Sequence, residues 1–470
     1  MSRKKLRPPG PKGPPIIGVG LTISKDTPDF LTRTAKEFQD LSYFKVLNLH
    51  MYYLCKPEYV QHVLQENNKN FYKSVKYKFL KLFLGQGLLT SEGEFWLKQR
   101  RLAQPAFHKH KIASFAETMT GDASDMMAEW EKGIEKGNDV VDMHREMMAL
   151  TLRIVGKTLL SKDLKTSSID IETSLGYLIA DIFKRVHSVF DIPLWVPIPR
   201  NIGFKKARKV LDDVINKIID DRLSGAETGA CLSDRQEDLL SMLIGAEDED
   251  TGEKMPKEQL RDEVMTIFVA GHETTANALT WTLYLLSTHS SVMTKLKAEL
   301  DEVLDGRTPG LEDSRSLKYT TQVIEESMRL YPPAWIIERT AIGDDKIGDY
   351  EISKGDQMIM SPYVMHRDPK YWKEPNTFDP ERFSEERSKE RDRYCYFPFG
   401  GGPRYCIGAN FAMLEMQLVL AILCQKYTFI LHQVHNILQN FVLSPMNANY
   451  EKQINAEHLA SPKPRTNKNV

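Results

Sequence analysis

The stretch FPFGGGPRYCIG, residues 397–408, places one cysteine behind three consecutive glycines and in front of a helical pattern that begins near residue 409. Glycines allow unusual backbone angles and a close approach to something flat or bulky. Cys406 is therefore expected near the positive end of a helix, with Arg404 two residues away, and both effects predict a lowered thiol pKa. Such a thiolate would serve as a nucleophile or a metal ligand; the alternative is a buried structural cysteine.

A second helical pattern covers about residues 256–289, where an apolar stripe recurs at alternating spacings of four and three residues. Two members of this stripe are not the apolar helix formers that the pattern predicts. Gly271 weakens a helix interior, and Thr274 carries a hydroxyl beside Glu273. A helix with this notch is suited to holding a small polar ligand in a distorted turn. The alternative is a threonine that bonds back to the carbonyl four residues earlier.

Two shorter motifs place an arginine within one helical turn of a partner. Glu326 and Arg329 precede the Pro332-Pro333 pair that ends their helix, and Trp96 lies one turn before Arg100. The ordinary interpretations are an exposed ion pair and an arginine stacked on a tryptophan. The second pair is also able to hold an anion, but each motif alone is weak.

The composition is that of an ordinary globular protein, with 41% hydrophobic and 27% charged residues in a chain of 470. Its 63 Lys and Arg balance 64 Asp and Glu, and a net charge of −1 argues against a nucleic-acid partner. Five cysteines, a low and odd number, exclude a disulfide scaffold and favour a reducing compartment. The apolar runs at 16–21 and 418–423 are too short to span a membrane, so we expect a soluble, cytoplasmic protein.

The pattern along the chain predicts a mainly α protein with a smaller β-rich region. We expect a Pro-rich lead-in over residues 1–15, a single domain over 16–460 and a disordered tail over 461–470. Strand signals occupy Tyr43–Leu49, Met51–Leu54, Ile336–Ala341, Tyr350–Ile352 and Gln357–Ser361.

Taken together, the motifs resemble those of the haem-thiolate monooxygenases, the cytochrome P-450 superfamily, in a soluble, bacterial-type form. The residues that carry this resemblance are Phe399-x-x-Gly402-x-Arg404-x-Cys406-x-Gly408, Ala270–Thr275, Glu326-x-x-Arg329, Trp96-x-x-x-Arg100 and Pro380–Phe383. Each motif is weak alone, whereas all five in this order are specific. The resemblance extends from about Pro8 to Phe429, and Asn447–Val470 shows no clear version of the strands with which the family ends.

The resemblance implies the cytochrome P-450 fold and a haem b cofactor, iron protoporphyrin IX, with Cys406 as the ligand of its iron. Gly402 and Gly408 would let the chain pass close under the porphyrin. The two haem propionates would be bound by Trp96, Arg100, Arg339 and Arg404. A buried charged network would brace the haem-binding loop, formed by Glu326, Arg329 and Arg382.

On the opposite haem face, the resemblance implies that Thr274 hydrogen-bonds dioxygen or a water and that Glu273 helps to relay protons. The implied reaction inserts one atom of O2 into an unactivated substrate bond. Its two electrons would come from a separate ferredoxin or flavoprotein, because the chain ends without a flavin domain. We expect a monomer with no membrane span and no nucleic-acid partner.

Three aromatic and aliphatic segments are candidates for the substrate pocket: Tyr72–Leu84, Leu178–Trp195 and Trp335–Ile337. They favour a fairly large lipophilic substrate, either a fatty acid or a terpenoid, and the alternative is that they are only core. Two other classes stay open: a haem-thiolate enzyme that uses peroxide, and a non-catalytic haem sensor or electron carrier. The intact pair of Glu273 and Thr274 argues against both.

Overall fold

The structure is a computed structural model, and it describes residues 6–138, 140–163, 168–186, 192–227, 238–248, 251–431 and 453–458. Helices dominate these ranges, which confirms the predicted mainly α fold. Their bounds are α1 (Gly20–Lys25), α2 (Thr27–Phe38), α3 (Pro57–Gln61), α4 (Tyr77–Leu84), α5 (Gly93–Ala103), α6 (Lys109–Ala113), α7 (Ala116–Ile134), α8 (Met143–Leu160), α9 (Ser168–Val186), α10 (Pro199–Glu227), α11 (Leu239–Gly245), α12 (Lys257–Thr288), α13 (Ser290–Leu304), α14 (Lys318–Leu330), α15 (Pro362–Met365), α16 (Glu385–Ser388) and α17 (Ala409–Lys426).

The helix α12 lies at the centre of the largest hydrophobic core and packs against α8, α14 and α17. The predicted helix over 256–289 is confirmed to within one residue at each end. Most of its apolar stripe is buried, including Leu260, Val264 and Ala278. The hydroxyl of Thr151 on α8 donates to the carbonyl of His272 at 3.0 Å, which fixes the two helices side by side.

Within the residues that the structure describes, the β structure forms three separate sheets. A five-stranded sheet has the order β1-β2-β8-β5-β3, a three-stranded sheet the order β4-β10-β9, and β6 pairs with β7. Their bounds are β1 (Leu41–Val46), β2 (Leu49–Leu54), β3 (Phe71–Lys73), β4 (Val140–Asp142), β5 (Ile337–Ala341), β6 (Asp345–Ile347), β7 (Tyr350–Ile352), β8 (Gln357–Met360), β9 (Tyr427–Leu431) and β10 (Gln453–His458).

Two strand predictions need correction. The strand predicted over Tyr43–Leu49 ends at Val46, because Leu47 adopts a φ of 55° and the chain turns into β2. The C-terminal strand that the sequence of Asn447–Val470 does not reveal is present as β10. Hydrogen-bonded pairing with β9 and β4 makes this segment a strand, although its polar sequence does not predict one.

The Pro-rich lead-in forms no regular element over residues 6–14, and Pro9 accepts a hydrogen bond of 3.0 Å from the backbone N–H of Tyr43 in β1. The predicted disordered tail over 461–470 lies outside the described residues. Among the helices that are described, none has the length and apolar character needed to cross a membrane.

Candidate active site

The cysteine loop is folded tightly against the protein before α17 begins. The backbone N–H of Cys406 donates to the carbonyl of Phe399 at 3.0 Å. Gly402 adopts a φ of +63°, and a Cβ there would lie 1.9 Å from the carbonyl oxygen of Leu64. This contact with the protein by itself requires glycine at 402, and the predicted place of Gly402 under the porphyrin stays a prediction. At Gly408 no described protein atom lies within 4 Å of such a Cβ, so its predicted place under the porphyrin stays a prediction.

Cys406 is accessible, whereas the other cysteines within the described ranges, Cys55, Cys395 and Cys424, are buried. Protein nevertheless surrounds its thiol closely enough that burial raises the thiol pKa above the ordinary value. The backbone N–H of Gly408 and the charge of Arg100 oppose this effect only in part. The predicted lowering of the pKa is therefore wrong, because desolvation outweighs the helix end.

Arg404, the expected cause of that lowering, points elsewhere. Its guanidinium pairs with the carboxylate of Glu92 and stacks over the ring of Trp96, 4.2 Å from the ring centroid. It also donates to the carbonyl of Ser91 at 3.2 Å. Trp96 and Arg404 are thus in contact in the structure, although they are far apart in the sequence.

Two further cations lie beside Arg404. Arg339 on β5 is buried and pairs in register with Lys73 on β3. Burial, together with the neighbouring guanidinium groups of Arg339 and Arg404, holds the pKa of the Lys73 ammonium well below its ordinary value. Within the described ranges, neither Lys73 nor Arg339 forms an ion pair, so this corner carries an excess of positive charge. Lys73 was not predicted, because only the strand register reveals it.

Arg100 adds a fourth cation on the helix that carries Trp96. Its Nε is buried and has no hydrogen-bond partner among the residues that the structure describes. Burial lowers its pKa, and the nearby Cys406 is the charge that acts in the opposite direction. An accessible thiol with Arg100 nearby, together with a separate corner of cations, fits a metal complex that carries acidic groups, and haem with its two propionates is such a complex.

The middle of α12 departs from its buried pattern. Ala270 and Thr274 are exposed, although the helix is buried on either side, so this face lines an internal space. The Thr274 hydroxyl donates to the carbonyl of Ala270 at 2.7 Å, which is the bond of the alternative interpretation. Glu273 is buried, and burial raises its carboxyl pKa to about 8. A neutral carboxylic acid therefore lies next to an exposed hydroxyl.

The predicted charged network of Glu326, Arg329 and Arg382 is confirmed. Both Glu326 and Arg329 are fully buried, and Arg382 Nε lies 3.4 Å from the Glu326 carboxylate. Arg329 also donates to three carbonyl oxygens, those of His366, Pro375 and Thr377, at 2.7 to 3.1 Å. The ordinary interpretation as a surface ion pair is excluded.

A family model described as Cytochrome P450 matches residues 8–454 of this chain. The chain belongs to the cytochrome P450 family. The match extends beyond Phe429, as expected from the β10 strand that the sequence motifs did not reveal.

Several curated relatives share most of their length with this cytochrome P450. Cyclooctatin synthase of Streptomyces melanosporofaciens is 36% identical over 421 residues, which cover 89% of this chain and 88% of the relative. Cyclooctat-9-en-7-ol 5-monooxygenase of the same organism is 33% identical, with the same two coverages. Cytochrome P450 4V2 of Rattus norvegicus is 32% identical and covers 88% of this chain and 82% of the relative.

Haem b is therefore the cofactor of this cytochrome P450, and the protein is an oxidoreductase of the monooxygenase type. Cys406 is the accessible thiol suited to the iron. Arg404, Arg339, Arg100 and Lys73 are the cations suited to the propionates. When bound, the haem supplies the iron at which O2 is activated.

His366 is a further residue of this site that sequence reasoning did not single out. Its Nε2 accepts a hydrogen bond of 3.0 Å from the backbone N–H of Phe397, at the start of the cysteine loop, and its carbonyl accepts one from Arg329. Burial and nearby arginines hold its pKa well below the ordinary value, so the ring is neutral. His366 thus joins the charged network to the loop that carries Cys406.

Two of the three predicted pocket segments of the cytochrome P450 meet in the structure, because α9 carries residues 178–186 of the second segment and packs against α4. Phe79 and Phe83 of α4 are buried, and α4 packs against α9 and α12. Trp335 instead packs in the cluster formed by the N-terminal segments, away from α4. Trp195 is 77% exposed, and residues 187–191 of the second segment lie outside the described ranges.

Proposed function

We propose that this cytochrome P450 inserts one atom of O2 into a neutral, terpenoid-like lipophilic substrate. Two electrons come from a separate ferredoxin or flavoprotein. The observation that carries the proposal is the presence in one protein of an accessible thiol near Arg100 and of an exposed hydroxyl and a neutral acid on the central helix.

The protein's own contribution is the handling of protons. Thr274 Oγ1 can exchange its bond with the Ala270 carbonyl for a donation toward the internal space. Glu273 holds a carboxylic proton below about pH 8, and in the proposed relay a water carries this proton to Thr274, because neighbouring side chains on a helix do not face each other. A peroxide-using enzyme needs no such supply, and a haem sensor or electron carrier needs neither group.

The charges near α4 support a neutral substrate over a fatty acid. A carboxylate substrate needs a cation in the pocket, since a buried carboxylate without a partner is costly. Lys76 pairs with Glu338 at 2.8 Å, and Lys78 and Lys81 are exposed. The remaining lysine of this segment, Lys73, lies beside Arg339 in the corner that suits the haem propionates. The inner face of α4 presents Phe79 and Phe83 instead.

The names of two relatives also support a terpenoid-like substrate. One is a monooxygenase of cyclooctat-9-en-7-ol, by its name a cyclic unsaturated alcohol, and the other is cyclooctatin synthase. At identities of 36% and 33%, these names support the substrate class and not the identity of the substrate.

The test begins with the reduced, haem-loaded protein under CO, followed by a screen of cyclic terpene alcohols and long-chain fatty acids for a shift in the iron spin state. Binders are then incubated with O2, a ferredoxin, its reductase and NADPH, or with hydrogen peroxide alone. We expect spin-state shifts with the terpene alcohols and one oxygen added per two electrons. Turnover with peroxide and none with O2 and the electron-transfer proteins would contradict the O2 proposal, and shifts confined to fatty acids would contradict the substrate class.

A further inference from the structure

A second cavity, of about 410 Å3, lies beside the C-terminal half of α12. Its walls include Trp281, Tyr284, Tyr331, Trp335, Tyr363 and Arg367. Its volume falls within the range of about 300–1,000 Å3 that is common for small-molecule sites.

This cavity is distinct from the haem site. Its described lining includes neither Cys406, Thr274, Glu273 nor the cations around Arg404. The lining residue of α12 nearest to Thr274 is Asn277, three residues later, whereas the aromatic wall begins at Trp281, about 10 Å beyond Thr274 along the helix axis. Substrate chemistry at the haem therefore does not explain why these side chains are arranged in this way.

The aromatic walls are already ordered for a flat ligand. The rings of Trp281 and Tyr331 are parallel, with centroids 3.8 Å apart and an interplanar angle of 4°. Tyr284 meets the Trp281 ring edge-on at 5.5 Å. Burial raises the pKa of Tyr331 to about 12, so its hydroxyl is neutral at physiological pH. Because Trp281 is buried, a planar apolar body in the cavity would contact mainly the ring of Tyr331, which Trp281 holds in place.

Arg367 gives the cavity a charge that the protein does not neutralise. Its guanidinium lies 4.0 Å from the ring centroid of Tyr363 and 5.3 Å from that of Tyr331. Its Nη1 donates only to a backbone carbonyl, that of Tyr363, at 3.2 Å. Within the described ranges it forms no ion pair, and no carboxylate lines the cavity.

The nearest acid that acts on Arg367 is already occupied. Glu326 is the carboxylate that influences the pKa of Arg367, but it is bound by Arg329 and Arg382. The other charged group that acts on Arg367 is the like charge of Arg329. A planar guanidinium in such surroundings binds a carboxylate with two parallel hydrogen bonds.

We propose that this cavity is a second ligand site for a small planar aromatic carboxylate, whose ring stacks beside Trp281 and Tyr331 and whose carboxylate binds Arg367. Thr288 and Asn376, both exposed, lie at its mouth. The ligand enters from solvent and leaves the haem iron untouched.

The test uses 1-naphthoate and the haem-loaded protein, with binding measured by calorimetry in the absence and presence of saturating imidazole, which occupies the iron. We expect one naphthoate site with the same Kd in both conditions and no naphthoate-induced change in the haem spectrum. The neutral analogue 1-naphthalenemethanol should bind about tenfold more weakly or worse, because it lacks the charge-assisted hydrogen bonds. No naphthoate binding, or binding that imidazole abolishes, would overturn the proposal.

Two variants locate the site. Arg367→Gln should weaken naphthoate binding by about tenfold or more and leave the neutral analogue unchanged. Thr288→Trp fills the mouth from an exposed position and should abolish binding even if Arg367→Gln does not fold. The matched control is Thr294→Trp, an exposed helical threonine that also bonds the carbonyl four residues earlier but does not line the cavity. Unchanged affinity in Thr288→Trp, or an equal loss in Thr294→Trp, would refute this site.

Discussion

The carboxylate of Glu326 and the guanidinium of Arg329 face each other in the interior, joined by hydrogen bonds of 2.6 and 2.8 Å. Neither side chain reaches solvent. The same carboxylate accepts a bond of 2.9 Å from the backbone N–H of Asp379, so it organises the irregular segment before the cysteine loop.

Removing either partner should leave the other buried and uncompensated. We expect Glu326→Ala and Arg329→Ala each to lose about 3–5 kcal/mol of folding free energy and to yield little haem-loaded protein. The measurement is the haem-to-protein ratio after purification, with urea unfolding of any folded fraction. The control is Lys209→Ala, which breaks an exposed pair with Asp213 and should behave like wild type. A stable, haem-replete Arg329→Ala protein would contradict the role of this network.

Cys406 is predicted to be the iron ligand. Cys406→Ser should remove the red-shifted carbonyl band that thiolate-ligated haem shows when it is reduced under CO, because serine offers no thiolate. Cys395→Ala, which changes a buried cysteine eleven residues earlier, should retain the band. Retention of the band in Cys406→Ser would show that another cysteine is the ligand.

Thr274→Ala should fold, bind haem and bind substrate, yet convert less reductant into product. The substitution removes the hydroxyl that is proposed to supply protons. It should cost little folding free energy, because Thr274 is exposed and alanine favours helix. The ratio of product to NADPH consumed should fall, and released hydrogen peroxide should rise. Thr280→Ala is the matched control, since Thr280 makes the same bond to the carbonyl four residues earlier but is buried. An unchanged ratio would make Thr274 a purely structural residue.

The stability of the protein should depend on pH through Glu263, a buried acid of α12. Burial raises its pKa from 4.5 to about 8, so between these values the folded state holds a proton that the unfolded state releases. Its stabilising contribution is therefore complete below about pH 4.5 and is lost as the pH rises through about 8.

Glu263→Gln should remove this dependence. Its thermal midpoint relative to wild type should rise from about pH 5 to about pH 8 and then stay level, because glutamine does not ionise. The control is Glu258→Gln, an exposed acid on the same helix. A relative midpoint that falls with rising pH would refute the assignment.

Local patterns were sufficient for the parts of the site that lie close together in sequence. The spacing of apolar residues located α12, and the glycine–cysteine stretch located the start of α17. The resemblance then supplied the charged network, which the contacts of Arg329 confirm.

The errors arose where distant segments meet. Nothing near Arg404 in sequence shows that its partner is Glu92, and nothing near Lys73 shows that it lies beside Arg339. The predicted pKa of Cys406 was wrong for a related reason. A helix end is visible in sequence, whereas the desolvation that outweighs it depends on the whole fold.

The anchoring of the cysteine loop has a consequence for the order in which the protein is made. Gly402 rests on the Leu64 carbonyl, and the hydroxyl of Tyr394 donates to Gln65, 329 positions earlier in the chain. The ribosome must therefore synthesise most of the polypeptide before Leu64 and Gln65 can contact the cysteine loop and the segment that precedes it. The segment around Leu64 and Gln65 therefore meets its partners late in synthesis, and a chain interrupted before residue 394 contains that segment without Cys406.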